Sequence, residues 1–529
     1  MRNRRTVARR RTLAAAATLA AAALTLAACS GTTTEKTRPT STATSGSSQD
    51  TTTSTFDPTD GVDSDLIEFY SQQVTWEECG DNMRCTDVVV PMDYENPTDG
   101  RTVTLAVTMI ETAGDGAPAL FLNPGGPGGS GVDMMDWITY SISADTQAAY
   151  NLVGFDPRGV NHSDAVECIS DAEMDDFRSL DIDSSTDAGL EQYATLMQDF
   201  GADCETNTGD LLQYVDTVSA AKDLDILRAV VGSADTLDYL GYSYGTFLGS
   251  QYAELFPQRV GHFVLDGALD PSSSIADLAL GQAAGFEKSI RAYLEDCLAG
   301  SGCPFTGTVD DAEQQLTDFL ALVEATPLPT GDPDRPLTYS LALSGILLPM
   351  YENSIWPNLT QALTAAIENN DGTELLYWAD YGASRNDDGT YADNSNEAFY
   401  AIDCLDYPVE GTLEDWKATA AEIAEANPAF GDALAYTEIA CDAWPYKSTR
   451  TPTEFTAAGS APILVVGTTG DPATPYEWAV ALADQLENGY LLTYDGWGHT
   501  AYGRSNECVT STVDAYLLDG TLPDDGATC

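Results

Sequence analysis

The sequence predicts an α/β fold: a mostly parallel, eight-stranded sheet covered by helices and interrupted by one large helical insertion, the cap. Three observations carry this. Apolar runs of strand length recur along the chain, and stretches of helical periodicity separate the later ones. One run, Thr236 to Leu240, passes through Gly241-Tyr242-Ser243-Tyr244-Gly245 into a segment that can run as a helix. A long block, 270–460, carries amphipathic helical patterns between the sixth and seventh runs.

In chain order, residues 1–28 read as an export leader. Arg2, Arg4, Arg5, Arg9, Arg10 and Arg11 form a basic start, and Leu13 to Leu24 is an Ala/Leu run too short for a comfortable membrane span. Leu26-Ala27-Ala28-Cys29 has the form of a lipobox, which makes Cys29 the expected lipidation site. An ordinary secretory signal containing a cysteine is the alternative. Residues 29–60 form a Ser/Thr-rich tether, too poor in apolar side chains to offset the entropy of ordering. The expected location is therefore extracytoplasmic and lipid-anchored at the cell envelope, with a secreted fraction as the alternative.

The first part of the core, 61–269, contains runs at Thr86–Pro91, Val103–Ile110, Ala117–Leu122, Leu152–Phe155, Leu237–Leu240 and Phe263–Asp266. The cap, 270–460, shows helical patterns at Ile275–Leu298, Asp310–Ala325, Leu359–Asn369 and Glu414–Ala426. The core resumes over 461–529 with runs at Ile463–Val466 and Tyr490–Tyr494, separated by a helical pattern from Pro475 to Leu486. Strands alternating with helices imply a parallel sheet covered on both faces, and a long insertion between core strands implies a roof over a site.

Net charge is −60, from 23 basic and 83 acidic residues, and removing the leader makes it more negative. That balance argues against nucleic acid or anionic lipid as a partner of the globular part. Of 11 cysteines, ten remain beside Cys29; an even number in an exported chain favours disulfides. Pairing sequence neighbours costs least loop-closure entropy, which suggests Cys79–Cys85, Cys168–Cys204, Cys297–Cys303, Cys404–Cys441 and Cys508–Cys529. Three scattered histidines and no C-x-x-C pair point to no metal, and no cofactor motif is present.

The chemistry centres on Ser243. A G-x-S-x-G turn between strand and helix lifts the hydroxyl above the sheet edge, where it can act as a nucleophile if a base activates it. His499, in Gly498-His499-Thr500 after the last strand, is the expected base. His262 starts a buried strand, and His162 lies in a turn after Asp156-Pro157-Arg158-Gly159. Asp471, in Gly470-Asp471-Pro472-Ala473-Thr474 after the seventh strand, is the expected acid, with Thr474 as a supporting hydroxyl. The chain order Ser243, Asp471, His499 is that of the α/β-hydrolases. Asn123-Pro124-Gly125-Gly126-Pro127-Gly128-Gly129 can offer a backbone N–H to a developing oxyanion. Gly126 is the first choice, partnered by Tyr244 N–H.

Together Asn123–Gly131, Asp156–Gly159, Gly241–Gly245, Asp471–Pro475 and Gly498-His499 resemble the secreted actinobacterial tripeptidyl aminopeptidases, relatives of proline iminopeptidase. Leu265-Asp266-Gly267, Ala401–Asp406 and Cys441–Pro445 are similar to that group too. The chain departs from proline iminopeptidases in carrying Asn123-Pro124 where those enzymes have a histidine before the glycine loop. The resemblance implies a serine exopeptidase acting on peptide or protein N-termini, with Asp403 or Asp406 in the cap receiving the substrate ammonium group. It leaves open an esterase or lipase on the same triad. A non-catalytic surface binding protein on the same scaffold is the third reading, disfavoured because all three triad residues are present.

Overall fold

Burial on both faces explains the central strands. A computed structural model describes residues 56–80 and 82–529. The expected leader, Cys29 and most of the tether lie outside the described residues. The strands are β1 (Glu77–Gly80), β2 (Met83–Pro91), β3 (Thr102–Ile110), β4 (Ala119–Asn123), β5 (Asn151–Phe155), β6 (Leu237–Tyr242), β7 (Val260–Asp266), β8 (Ile463–Gly470) and β9 (Gly489–Trp497). They form one sheet in the order β1-β2-β3-β5-β4-β6-β7-β8-β9. The β1–β2, β2–β3 and β3–β5 pairs are antiparallel, and every pair from β5–β4 to β8–β9 is parallel.

β5 is buried along its whole length and β6 at all but one position, as strands covered on both sides must be. Alternation along them feeds two cores. Phe121, Val153, Tyr239, Leu265 and Val465 enter the one beneath the helices 217–227 and 244–255. Leu120, Leu122, Leu152, Leu240, Val264 and Leu464 enter the other, beneath helix 507–519.

Eight of these strands lie where the apolar runs predict them. The ninth, β1, is Glu77-Glu78-Cys79-Gly80, exposed at all four positions, so it shows none of the alternation that marks a strand. It is an antiparallel edge beside β2, stapled to it by Cys79–Cys85. The other disulfides are Cys168–Cys204, Cys297–Cys303, Cys404–Cys441 and Cys508–Cys529.

Between β7 and β8 the chain is helical, and it packs as two parts. Helices 275–299, 309–325, 339–347, 356–369 and 373–382 close over a core of their own, with Ile290, Tyr293, Leu316, Leu359, Leu363 and Leu375 inside. Ser274 and Thr308 start the first two with reciprocal side-chain caps to Asp277 and Asp311. Helices 395–406 and 437–443 instead bury Ala398, Ile402, Cys404 and Cys441 in the main core against the sheet's helices. Among the described residues no helix is long and apolar enough to cross a membrane.

Candidate active site

The turn after β6 is built by steric exclusion. A Cβ on Gly241 would strike Gly245 O, and one on Gly245 would lie 2.8 Å from Asn123 Oδ1 and 2.9 Å from Asn123 O. With both neighbours reduced to glycine, Ser243 takes φ 55° and ψ −124°, left-handed backbone that costs a side-chain-bearing residue about 1–3 kcal/mol. Three hydrogen bonds hold it there. Ser243 N–H donates to Asp266 O (2.9 Å), and Ser243 O accepts from Thr246 N (2.8 Å) and Thr246 Oγ1 (2.6 Å).

The histidine loop reaches the same corner. A Cβ on Gly267 would lie 3.2 Å from His499 Cε1, and the preceding residue, Asp266, is the one that holds Ser243. The Asp266 carboxylate is fully buried and accepts from Ala501 N (2.9 and 3.0 Å) and Tyr502 N (2.7 Å). Its main chain thus fixes the serine turn while its side chain fixes the loop that carries His499. Burial pushes this carboxyl up to about 6, against the pull of those N–H groups.

His499 Nδ1 lies 2.9 Å from both oxygens of Asp471, which is 2% exposed. Asp471 is oriented in turn by Ala473 N (3.0 Å), Thr474 N (2.9 Å) and Thr500 N (3.1 Å). Thr474 supports the pair through its backbone, and its hydroxyl lies 3.3 Å from His499 Nδ1. His499 Nε2 is buried and has no hydrogen-bond partner among the described residues. The other two histidines are elsewhere: His162 is exposed against Asp133 (3.1 Å), and His262 packs beside Asp238 (3.4 Å) and Tyr150 (3.3 Å).

The glycine loop after β4 lies on the serine turn. A Cβ on Gly125 would stand 2.5 Å from Tyr242 O, 2.8 Å from Ser243 Cβ and 3.1 Å from Tyr244 N, so Gly125 permits the close approach. Its N–H is taken by Asn123 Oδ1 (3.0 Å). Gly126 N–H has no acceptor among the described residues. Tyr244 opens helix 244–255, where the first N–H groups have no partner within the helix. Tyr244 N–H, next to Ser243, and Gly126 N–H, one residue along the loop that touches the serine turn, are thus left without acceptors among the described residues.

Two acids in helix 395–406 have different surroundings. Asp406 is 1% exposed, and both its oxygens are used, by Thr217 N (2.9 Å) and Thr217 Oγ1 (2.6 Å). Thr217 also bonds the Tyr244 hydroxyl, so Asp406 braces, through Thr217, the residue after Ser243. The Asp403 carbonyl accepts from Tyr407 N–H (2.9 Å), but its side chain has no hydrogen bond and no ion pair among the described residues. Burial, and then Asp406 beside it, push its carboxyl well above the usual range.

The cap also grips these loops, through contacts that carry no motif in the sequence. Tyr351, in the turn Leu348–Tyr351, accepts His499 N–H on its carbonyl (2.8 Å) and sets its ring edge-on to the imidazole, centroids 5.3 Å apart at 87°. Helix 275–299 lies against the Asp471 loop. Gln282 Nε2 donates to Ala473 O (3.2 Å) and Lys288 Nζ to Thr469 O (2.7 Å). A Cβ on Gly285 would press into Pro472 O. These contacts join residues far apart in sequence; the legible trace is a glycine at 285, midway in a long helix, where it weakens the helix for no local reason.

This sheet order, with a serine turn after β6, an aspartate after β8 and a histidine after β9, defines a serine hydrolase of the α/β-hydrolase class. Residues 427–529 match the family model described as TAP-like protein. Over 466 residues the chain is 38% identical to serine protease Hip1 of Mycobacterium tuberculosis, an alignment covering 84% of this chain and 87% of that protein. It is 37% identical over 479 residues to carboxylesterase B of the same organism (86% and 90% covered), and 30% identical over 470 residues to tripeptidyl aminopeptidase of Streptomyces lividans (86% of each). The chain belongs to this tripeptidyl aminopeptidase-like family of serine hydrolases.

Proposed function

We propose that the protein is an extracytoplasmic serine exopeptidase, held to the envelope membrane by lipid on Cys29, that removes short peptides from free N-termini. Ser243 Oγ attacks the scissile carbonyl as its proton passes to His499 Nε2. Asp471 holds Nδ1–H and stabilises the imidazolium. Gly126 and Tyr244 N–H receive the oxyanion, a role worth roughly 3 kcal/mol per donor. Collapse expels the leaving amine with the proton from Nε2, and water then releases the acyl group from Ser243 by the same path.

The observation that favours an exopeptidase is Asp403, a half-buried carboxyl near Tyr244 whose side chain has no partner among the described residues. An ammonium group would supply its missing counter-charge. Helix 395–406 starts over the glycine loop, where a Cβ on Gly128 would lie 3.0 Å from Ala398 Cβ, and Asp403 follows five residues later. That is roughly 7.5 Å along the helix axis. Extended peptide advances about 3.3–3.6 Å per residue, so two or three residues match that rise. A relative named tripeptidyl aminopeptidase fits this length.

A relative named carboxylesterase B favours a second reading, ester hydrolysis on the same triad, in which Asp403 has no task. A cycle of two changes separates the readings: Asp403→Asn in the protein and N-acetylation of a good peptide. If Asp403 pairs with the ammonium group, each change alone lowers kcat/KM at least about a hundredfold, and the second adds little to the first. Fully additive effects, or none, would sink the exopeptidase assignment.

A further inference from the structure

Tyr351 is the cap residue whose ring lies against His499, yet its hydroxyl has no hydrogen-bond partner among the described residues. The ring is wedged between His499 and Phe286, whose centroid is 5.8 Å away, so the phenol direction is set by packing. The side chain is nonetheless 38% exposed. A tyrosine phenol is protonated at neutral pH and can donate. The ring thus touches the imidazole on one side while the residue keeps an open face that a bound substrate could meet.

His499 Nε2 must come within hydrogen-bond reach of the leaving nitrogen to protonate it. The residue that contributes that nitrogen therefore lies beside the imidazole, while the acyl part lies toward the glycine loop and helix 395–406. Tyr351 comes from a different cap segment and approaches on the imidazole side. We infer that Tyr351 forms the leaving-group subsite, its hydroxyl donating to the main-chain carbonyl of the substrate residue just beyond the scissile bond. This rests on the peptidase reading above, and it makes Tyr351 a residue that selects for peptide leaving groups over simple amines.

The test compares two substrates with the same three N-terminal residues. One continues for three more residues, and the other ends in an aminocoumarin amide, which has no carbonyl of that kind. Tyr351→Phe keeps the Phe286 and His499 ring contacts and the backbone bond to His499 N–H, and fluorophosphonate labelling checks that the site is intact. The ratio of kcat/KM for the extended peptide to that for the amide is expected to fall about tenfold in the variant, as loss of one hydrogen bond to substrate predicts. An unchanged ratio while wild type still cuts the extended peptide overturns the Tyr351 assignment alone. Failure of the wild type to cut either substrate overturns the peptidase reading with it.

Discussion

Gly285→Ala should cripple turnover without touching the triad. The helix 275–299 crosses the Asp471 loop at Gly285, and the added methyl would press into Pro472 O and lie 3.2 Å from Asp471 O. Both atoms are backbone, so no side chain can swing aside, and the loop must retreat by roughly 1 Å. A displacement of that size in a catalytic group costs on the order of a hundredfold in rate. The loss should fall on kcat, since Asp471 orients the base and does not bind substrate. Gly281→Ala is the control. There the methyl meets the Trp478 ring, so it strains the same helix without pushing the Asp471 backbone. Steady-state kinetics over pH 5–9, with thermal melts of both variants, read the outcome. Wild-type kcat in a folded Gly285→Ala protein, or equal kcat losses in the two variants, would refute the claim that the cap sets the acid.

Two further predictions follow from buried groups. Glu287 Oε1 and Glu313 Oε1 are buried side by side in the cap without donors, and burial and Glu313 push the Glu287 carboxyl up to about 8. A group raised in the folded state contributes stability below its unfolded pKa and loses it as pH rises through the folded value. The melting temperature should therefore fall between about pH 5 and pH 9, and Glu287→Gln should flatten that slope; an unchanged slope contradicts a raised Glu287 carboxyl. His499→Ala should lose activity nearly as fully as Ser243→Ala, because triad members act as a unit, whereas His162→Ala and His262→Ala should keep their chemistry when folded. Hydrolysis surviving in His499→Ala would remove it as base.

Legibility in the sequence followed how local each constraint is. The serine turn could be read because sterics demand glycine at 241 and 245, within two residues of Ser243. The central strands could be read because double-sided burial leaves continuous apolar runs. β1 could not, being polar and exposed throughout. Helices 339–347 and 373–382, which the cap patterns omit, are short, and the stability of such helices comes from packing on their neighbours. The difference between Asp403 and Asp406 was invisible for the same reason. Thr217, which satisfies Asp406, lies 189 residues away in sequence. Asp266 and Tyr351 work through contacts spanning 235 residues or bridging cap and core, and no spacing rule reports those.

The most direct test of the central claim is a digest of a peptide library by the intact protein, read by mass spectrometry, with free and acetylated N-termini side by side. The exopeptidase account predicts release of short N-terminal peptides of two or three residues from the free set. It predicts at least about a hundredfold slower release from the acetylated set, and no products in either set when Ser243 is replaced by Ala. Internal cleavage at equal rates in both sets would contradict it.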